Sequence, residues 1–216
     1  MLLYKVPKSS HLRRTQAIAR LMFQLCGMPF ADFAHLEKSA LVHGVLRYNR
    51  IKTGTPMSVE ILEAAKKAIN GLRNNESSGE DCPDYLFDIM KGDKKRKEEA
   101  GYKEYQSALR RFNNQLKSLS RELHIKSPVT SYTIRHSWAT SAKYQGIPIE
   151  MISESLGHKS IKTTQTYLKG FGLEKRTEAN KLNCFYVENY VTSKHQETIY
   201  CCLLYTSPSP RDGATS

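Results

Sequence analysis

The stretch T-S-Y-T-I-R-H-S-W-A-T (Thr130–Thr140), followed by L-G-H (Leu156–His158) and T-T-Q-T-Y (Thr163–Tyr167), decides how this chain is read. Thr130 or Ser131 can cap a helix, and Ile134, Trp138 and Ala142 recur at a spacing of four, so a helix is expected from about residue 131. Tyr132 lies three residues before Arg135, which puts both side chains on one face of that helix. Leu156-Gly157-His158 reads as a helix end, with Gly157 allowing the left-handed turn that presents His158. Ser160 or Thr163 can open the next helix, which carries Tyr167.

Upstream, Ala17, Ile18, Leu21, Met22 and Leu25 follow the helical period. Phe33, Leu36 and Leu41 point to a short second helix. Val45 to Lys52 reads as a strand, Thr53 to Pro56 as a turn, and Met57 to Val59 as the returning strand. Ser58 is a candidate cap for a helix whose buried stripe is Ile61, Leu62, Ala65, Ala68, Ile69 and Leu72. Asn74 to Asp84 is polar and reads as a loop, and K-G-D-K-K-R-K (Lys91–Lys97) as a solvated charge run able to touch phosphate. Tyr105, Leu109, Phe112, Leu116, Leu119 and Leu123 mark a long amphipathic helix, and a last helical stretch is expected over about 174–189. The fold class is therefore mainly α with a small β-hairpin.

The 216 residues suffice for one sizeable domain, and a net charge of +12 calls for a polyanionic partner such as nucleic acid or an anionic surface. No apolar run approaches the ~18 residues of a membrane span, and no signal peptide is visible. Five scattered cysteines lack metal or disulfide spacing, which fits a reduced, cytoplasmic setting. C-L-L-Y-T-S-P-S-P-R-D (Cys202–Asp212) reads like a translated sequencing-library adapter, so 202–216 is expected to stay outside the fold.

At Arg135, His158 and Tyr167 the chain resembles the tyrosine recombinases, the phage-integrase family. That family has an arginine in R-H-S-hydrophobic-A-T, then L-G-H, then a tyrosine nine positions after the histidine, and Tyr167 follows His158 by nine. G-M-P-F (Gly27–Phe30) and R-I-K-T-G (Arg50–Gly54) are similar to integrases of bacterial conjugative and mobilisable elements. The resemblance implies the catalytic domain of a DNA breaking and rejoining enzyme over 11–192. Residues 1–10 would be a linker remnant, and the family's N-terminal clamp domain has no counterpart here, as in a truncated gene.

The resemblance further implies site-specific cleavage and rejoining of double-stranded DNA through a 3′-phosphotyrosyl intermediate, to integrate or excise a mobile element. No metal and no nucleotide cofactor would be needed. Full-length members act as tetramers on paired sites, with accessory DNA-bending proteins as possible partners, in the cytoplasm at the nucleoid. Tyr167 would be the nucleophile and Arg135 the bidentate phosphate ligand. His158 would donate to the scissile phosphate or assist proton transfer, and Lys52 would be the general acid. Arg135, Lys52, Lys159 and Lys162 would contact DNA.

Two positions depart from the family pattern. Tyr132 stands where many members have His or Lys, and a phenol can still donate to phosphate. Cys26 stands where the resembling integrases carry their first arginine, immediately before G-M-P-F. Losing one charge-assisted phosphate contact costs about 3–4 kcal/mol in the transition state. Arg50 is the candidate substitute, because it lies two residues before Lys52 and residues i and i+2 of a strand face the same way. The alternatives are a catalytically impaired DNA-binding fragment, in which nothing fills the gap, and a type IB-like topoisomerase activity.

Overall fold

The computed structural model describes residues 2, 12–73, 85–90, 98–168, 170 and 172–181. Helix α1 (Leu12–Gln24) packs against α3 (Glu63–Leu72), α4 (Glu98–Glu122) and α5 (Ser131–Tyr144), with the short α2 (Phe30–Ala34) beside α4. A 3₁₀ turn (Lys38–Ala40) leads into β1 (Leu41–Val42), β2 (Val45–Asn49) and β3 (Pro56–Glu60). These pair antiparallel in the order β1-β2-β3, with Leu46 opposite Val59 and Tyr48 opposite Met57. Helices α6 (Ile149–Ser155) and α7 (Ile161–Tyr167) complete this unit, which ends at Leu168. The chain is mainly helical with a small antiparallel sheet, as the sequence pattern implies. Among the described residues no helix is long and apolar enough to cross a membrane.

The helical period decides what is buried. In α1 the stripe Ile18, Ala19, Leu21 and Met22 is buried, and in α4 Ala108, Phe112, Leu116 and Leu119. The Phe30 and Phe112 rings stack at 4.6 Å and those of Phe33 and Phe87 at 4.5 Å, tying the α2 segment into this core. A second, smaller cluster joins Ala139 and Ala142 of α5 to Ile152, Leu156 and Leu168. Helix α5 bridges the two, since its Ile134 belongs to the first. Its start is fixed by a reciprocal capping box between Thr130 and Thr133, and by Ser131 N–H donating to Asn113 Oδ1 of α4 at 2.9 Å.

Several sequence expectations need correction. The sheet has a third strand, β1, so Leu41 lies in a strand and Leu36 beyond the end of α2. Strand β2 stops at Asn49, so Arg50 to Lys52 lie in the turn and not in the strand. Ser58 is mid-strand, and α3 starts at Glu63 with Leu62 as an N-cap that is 69% exposed, so Ile61 and Leu62 precede the helix. The strand continues because Val59 and Met57 alternate inward, a period that outweighs a cap by Ser58. A short helix spans 173–181, with Lys175 and Glu178 paired at 2.7 Å one turn apart; the rest of 174–189 lies outside the described residues. So do the expected loop at 74–84, the charge run at 91–97, all of the 1–10 linker but Leu2, and 202–216.

Candidate active site

The site begins with a helix end. At the C-terminus of α6, Gly157 N–H donates to Glu154 O at 2.7 Å and His158 N–H to Ser153 O at 3.0 Å, with Gly157 at φ +63°. This double closure is the Schellman arrangement, and it aims His158 back across the helix end. A Cβ on Gly157 would come within 2.7 Å of Met57 Sδ and 3.1 Å of Arg50 Cγ. The glycine is therefore needed both for its φ and for the close passage of Arg50.

The carbonyl of Leu156, at the negative end of α6, is free to take outside donors. Two guanidiniums use it. Arg135 Nη2 donates to it at 2.6 Å, and Arg50 Nη1 donates to the same oxygen. Arg135 also donates from Nη1 to Gly27 O at 3.1 Å. Gly27 follows the helix α1 and, like Cys26, has positive φ; a Cβ there would press on the Arg135 backbone at 3.2 Å. Thus the G-M-P-F segment shapes the Arg135 pocket from one side and L-G-H from the other.

Arg50 is buried, with 7% of its surface exposed, as is Arg135 with 6%. Arg50 Nε meets Asp32 Oδ2 at 2.8 Å, a charge contact without hydrogen-bond alignment, while the Ile51 amide donates to Asp32 Oδ1 at 3.0 Å. Burial lifts the Asp32 carboxyl above its usual range, against the pull of the Ile51 amide and Arg50. Burial and the neighbouring Arg50 lower Arg135 to about 10, still charged at neutral pH. Two buried guanidiniums thus face one buried carboxylate. Such an imbalance is costly in a low-dielectric interior unless an anion completes it.

His158 Nδ1 lies 2.8 Å from the hydroxyl of the fully buried Thr164, and Nε2 lies 3.4 Å from Arg135 Nη2. A guanidinium can only donate, so Nε2 carries the lone pair and Nδ1 the proton. Burial, then Arg135, Arg50 and Lys52, lower His158 to about 4, which keeps the imidazole neutral. Lys52 itself is exposed in the turn after β2, its charge felt at His158.

Tyr167 ends α7, half-buried, with its Oη shielded from solvent and without a well-aligned hydrogen bond, the Tyr132 hydroxyl lying beside it. Its ring meets His136, Tyr132 and His158 edge-on, with centroids at 5.0, 5.7 and 6.0 Å. Burial and the adjacent Tyr132 hydroxyl push its ionisation above the usual phenol range, while Arg135 pulls it down. Tyr132 is 61% exposed. Lys159 and Lys162 are exposed on either side of Ser160, and Lys162 shares an open pocket with Tyr167.

The structure therefore brings Arg50, Arg135, His158 and Tyr167 together, with Tyr132 at the rim and Lys52 nearby. Arg20 of α1 is engaged elsewhere, donating to Leu2 O at 2.9 Å. Sequence reasoning missed Asp32, His136 and Thr164. Asp32 carries a signal, as an acidic residue within an otherwise apolar α2, and His136 directly follows Arg135 in R-H-S.

Residues 2–171 match the model of the Phage integrase family. A protein described as "Resolvase" from Escherichia coli (strain K12) is 47% identical over 47 residues, 22% of this chain and 18% of that protein. The tyrosine recombinase XerD of Halalkalibacterium halodurans is 41% identical over 56 residues, 26% of this chain and 19% of its own. The matched stretches thus span under a fifth of these relatives. Among solved structures, XerA recombinase superposes with a TM-score of 0.53 at 18% identity, covering 82% of this chain and 66% of that one. XerH site-specific recombinase, in a complex with its palindromic difH substrate, does so at 0.55 and 17%, covering 81% and 47%. These likenesses support the fold, and the family match extends over most of the sequence, including every residue of the site just described: the chain belongs to the phage integrase family, the tyrosine recombinases.

Proposed function

We propose that this chain is the catalytic domain of a site-specific DNA recombinase, and that Tyr167 cleaves a DNA strand to form a 3′-phosphotyrosyl link. The observation that carries the reading is the meeting of two buried guanidiniums and a neutral imidazole beside a shielded tyrosine. An anionic tetrahedral group is the ligand that charge balance asks for, and a duplex DNA phosphodiester supplies it.

In the reaction, Tyr167 Oη attacks phosphorus, forming a new P–O bond as the bond to the deoxyribose 5′-oxygen breaks. Arg50 and Arg135 hold the non-bridging oxygens, where negative charge accumulates. The phenol is neutral at rest, so its proton must leave during attack, and His158 Nε2 has the lone pair to take it or to pass it on. Lys52 supplies a proton to the departing 5′-oxygen, moving inward with its turn when DNA is bound. Rejoining is the reverse, with a 5′-hydroxyl attacking the phosphotyrosine. Arg50 here takes the part of the arginine missing at Cys26. Lys159 and Lys162 contact the backbone beside the scissile phosphate. Integration or excision of a mobile element, assembly as a tetramer and help from DNA-bending proteins are the settings in which a complete protein would use this domain.

Cys26 favours a second reading, a DNA-binding domain of low catalytic power. One assay separates the two. The chain is incubated with an end-labelled pool of nicked duplexes of randomised core, and covalent protein–DNA species are resolved under denaturing conditions. The recombinase reading expects an adduct that Tyr167→Phe abolishes. Binding with no adduct would replace it by the second reading.

A further inference from the structure

Tyr167 is the last residue of a seven-residue helix, and Leu168 after it is already extended (φ −96°, ψ 114°). The buried Leu168 side chain fixes the backbone in the second cluster. Nothing in a helix end of this kind fixes the phenol itself, and its buried hydroxyl lies beside only that of the largely exposed Tyr132. The ring is oriented by what it packs against. Its nearest ring is His136, 5.0 Å away at 71°, then Tyr132 at 5.7 Å and 82°. Both lie on α5 one helical turn apart, so they flank one groove on its surface. His158 also meets the ring, at 6.0 Å, but is tied to Arg135 and Thr164. Tyr132 is largely exposed, whereas His136 is half-buried and has had no role so far.

We propose that His136 is a positioning residue for Tyr167: its ring edge holds the phenol in the pocket beside Arg135 and His158, with Tyr132 as the outer jaw. The contact is made by ring shape, and the centroid distance and near-perpendicular angle are those at which aromatic edges and faces attract. Other aromatic side chains at 136 would serve, whereas an aliphatic one would not. Helix α5 thus carries both the phosphate ligand Arg135 and, one residue on, the support for the attacking group, so both move together when α5 shifts. The catalytic consequence rests on Tyr167 being the nucleophile; the ring contact does not.

Two measurements on the full chain test this. With ring-labelled tyrosine and no DNA, NMR signals assigned through Tyr167→Phe should report the packed ring. His136→Ala should move them towards free tyrosine, His136→Leu should do the same while filling the space, and His136→Phe should keep them near the original. With the nicked-duplex pool at saturation, His136→Ala and His136→Leu should slow adduct formation about tenfold at unchanged half-saturating DNA, and His136→Phe should recover most of the rate. Unmoved Tyr167 signals in both His136→Ala and His136→Leu would overturn the proposal, as would a His136→Phe protein as slow as His136→Ala. If the NMR result is as expected and wild type forms no adduct, the contact stands and the nucleophile assignment falls.

Discussion

Arg50 and Arg135 donate to one acceptor, the carbonyl oxygen of Leu156 at the end of α6. They arrive from a sheet turn and from α5, and the Leu156 oxygen brings two like charges side by side. Arg50 thus stands beside Arg135 from another part of the fold than Cys26, where the family pattern expects the first arginine. If Arg50 fills that place, Arg50→Ala should reduce covalent trapping about 10²–10³-fold with DNA affinity little changed. Cys26→Arg should restore part of it. Efficient trapping by Arg50→Ala, with Cys26 in place, would remove Arg50 from the reaction.

His158 should titrate near pH 4 in the free protein, well below the ordinary histidine value of 6.5. The unfolded chain binds this proton more readily than the folded one. Folding stability tied to His158 is therefore complete above about pH 6.5 and declines as pH falls towards 4. Imidazole NMR should show the Nδ1–H tautomer at neutral pH, and Thr164→Val should loosen it by removing the hydroxyl. Bound phosphate should raise the titration midpoint, because an anion offsets the two arginines. A midpoint at or above 6.5 without DNA would contradict the assigned hydrogen bonds.

Gly157→Ala should lower stability by about 1–2 kcal/mol from positive φ alone, with more from the contact on Met57. For a chain of this size that is several degrees in melting temperature. Gly27→Ala should act similarly through Arg135. Gly146→Ala has the same sign of φ but meets nothing within 4 Å, so it should lose only the conformational part. Equal melting temperatures for Gly157→Ala and Gly146→Ala would show that Arg50 is not held by close packing at Gly157.

Binding to duplex DNA should weaken steeply with salt. Lys52, Lys159 and Lys162 are exposed, and each phosphate neutralised contributes about −0.9 to the log–log slope. A slope of roughly −3 or steeper is expected by fluorescence anisotropy, with little discrimination between sequences. A slope flatter than about −1 would speak against a DNA-binding face.

Much of the fold follows from local pattern. The stripe of α1, the Thr130 cap of α5 and the glycine turn at Gly157 are each fixed by neighbours in sequence, and the helical period and turn chemistry reveal them. The end of β2 and the start of α3 do not follow local pattern, because strand termination there depends on pairing between β2 and β3 and not on local propensity. In the site, Arg135, His158 and Tyr167 stand out by family spacing. Arg50 does reach the site, but from the turn beyond β2, where strand alternation no longer applies. Thr164 carries no signal in the sequence, and Asp32 only that of an acid among apolar residues, since their roles arise from tertiary contacts. Tyr132, expected beside the phosphate, lies against the Tyr167 ring at the rim of the site.

The central claim is that Tyr167 takes DNA onto its own oxygen. The most direct measurement is mass spectrometry of the adduct after nuclease and protease digestion. A nucleotide joined through its 3′-phosphate to the peptide containing Tyr167, and to no other tyrosine, Tyr132 included, is the expected product. A nucleotide on another residue, or a Tyr167→Phe protein that still forms adduct, would contradict it.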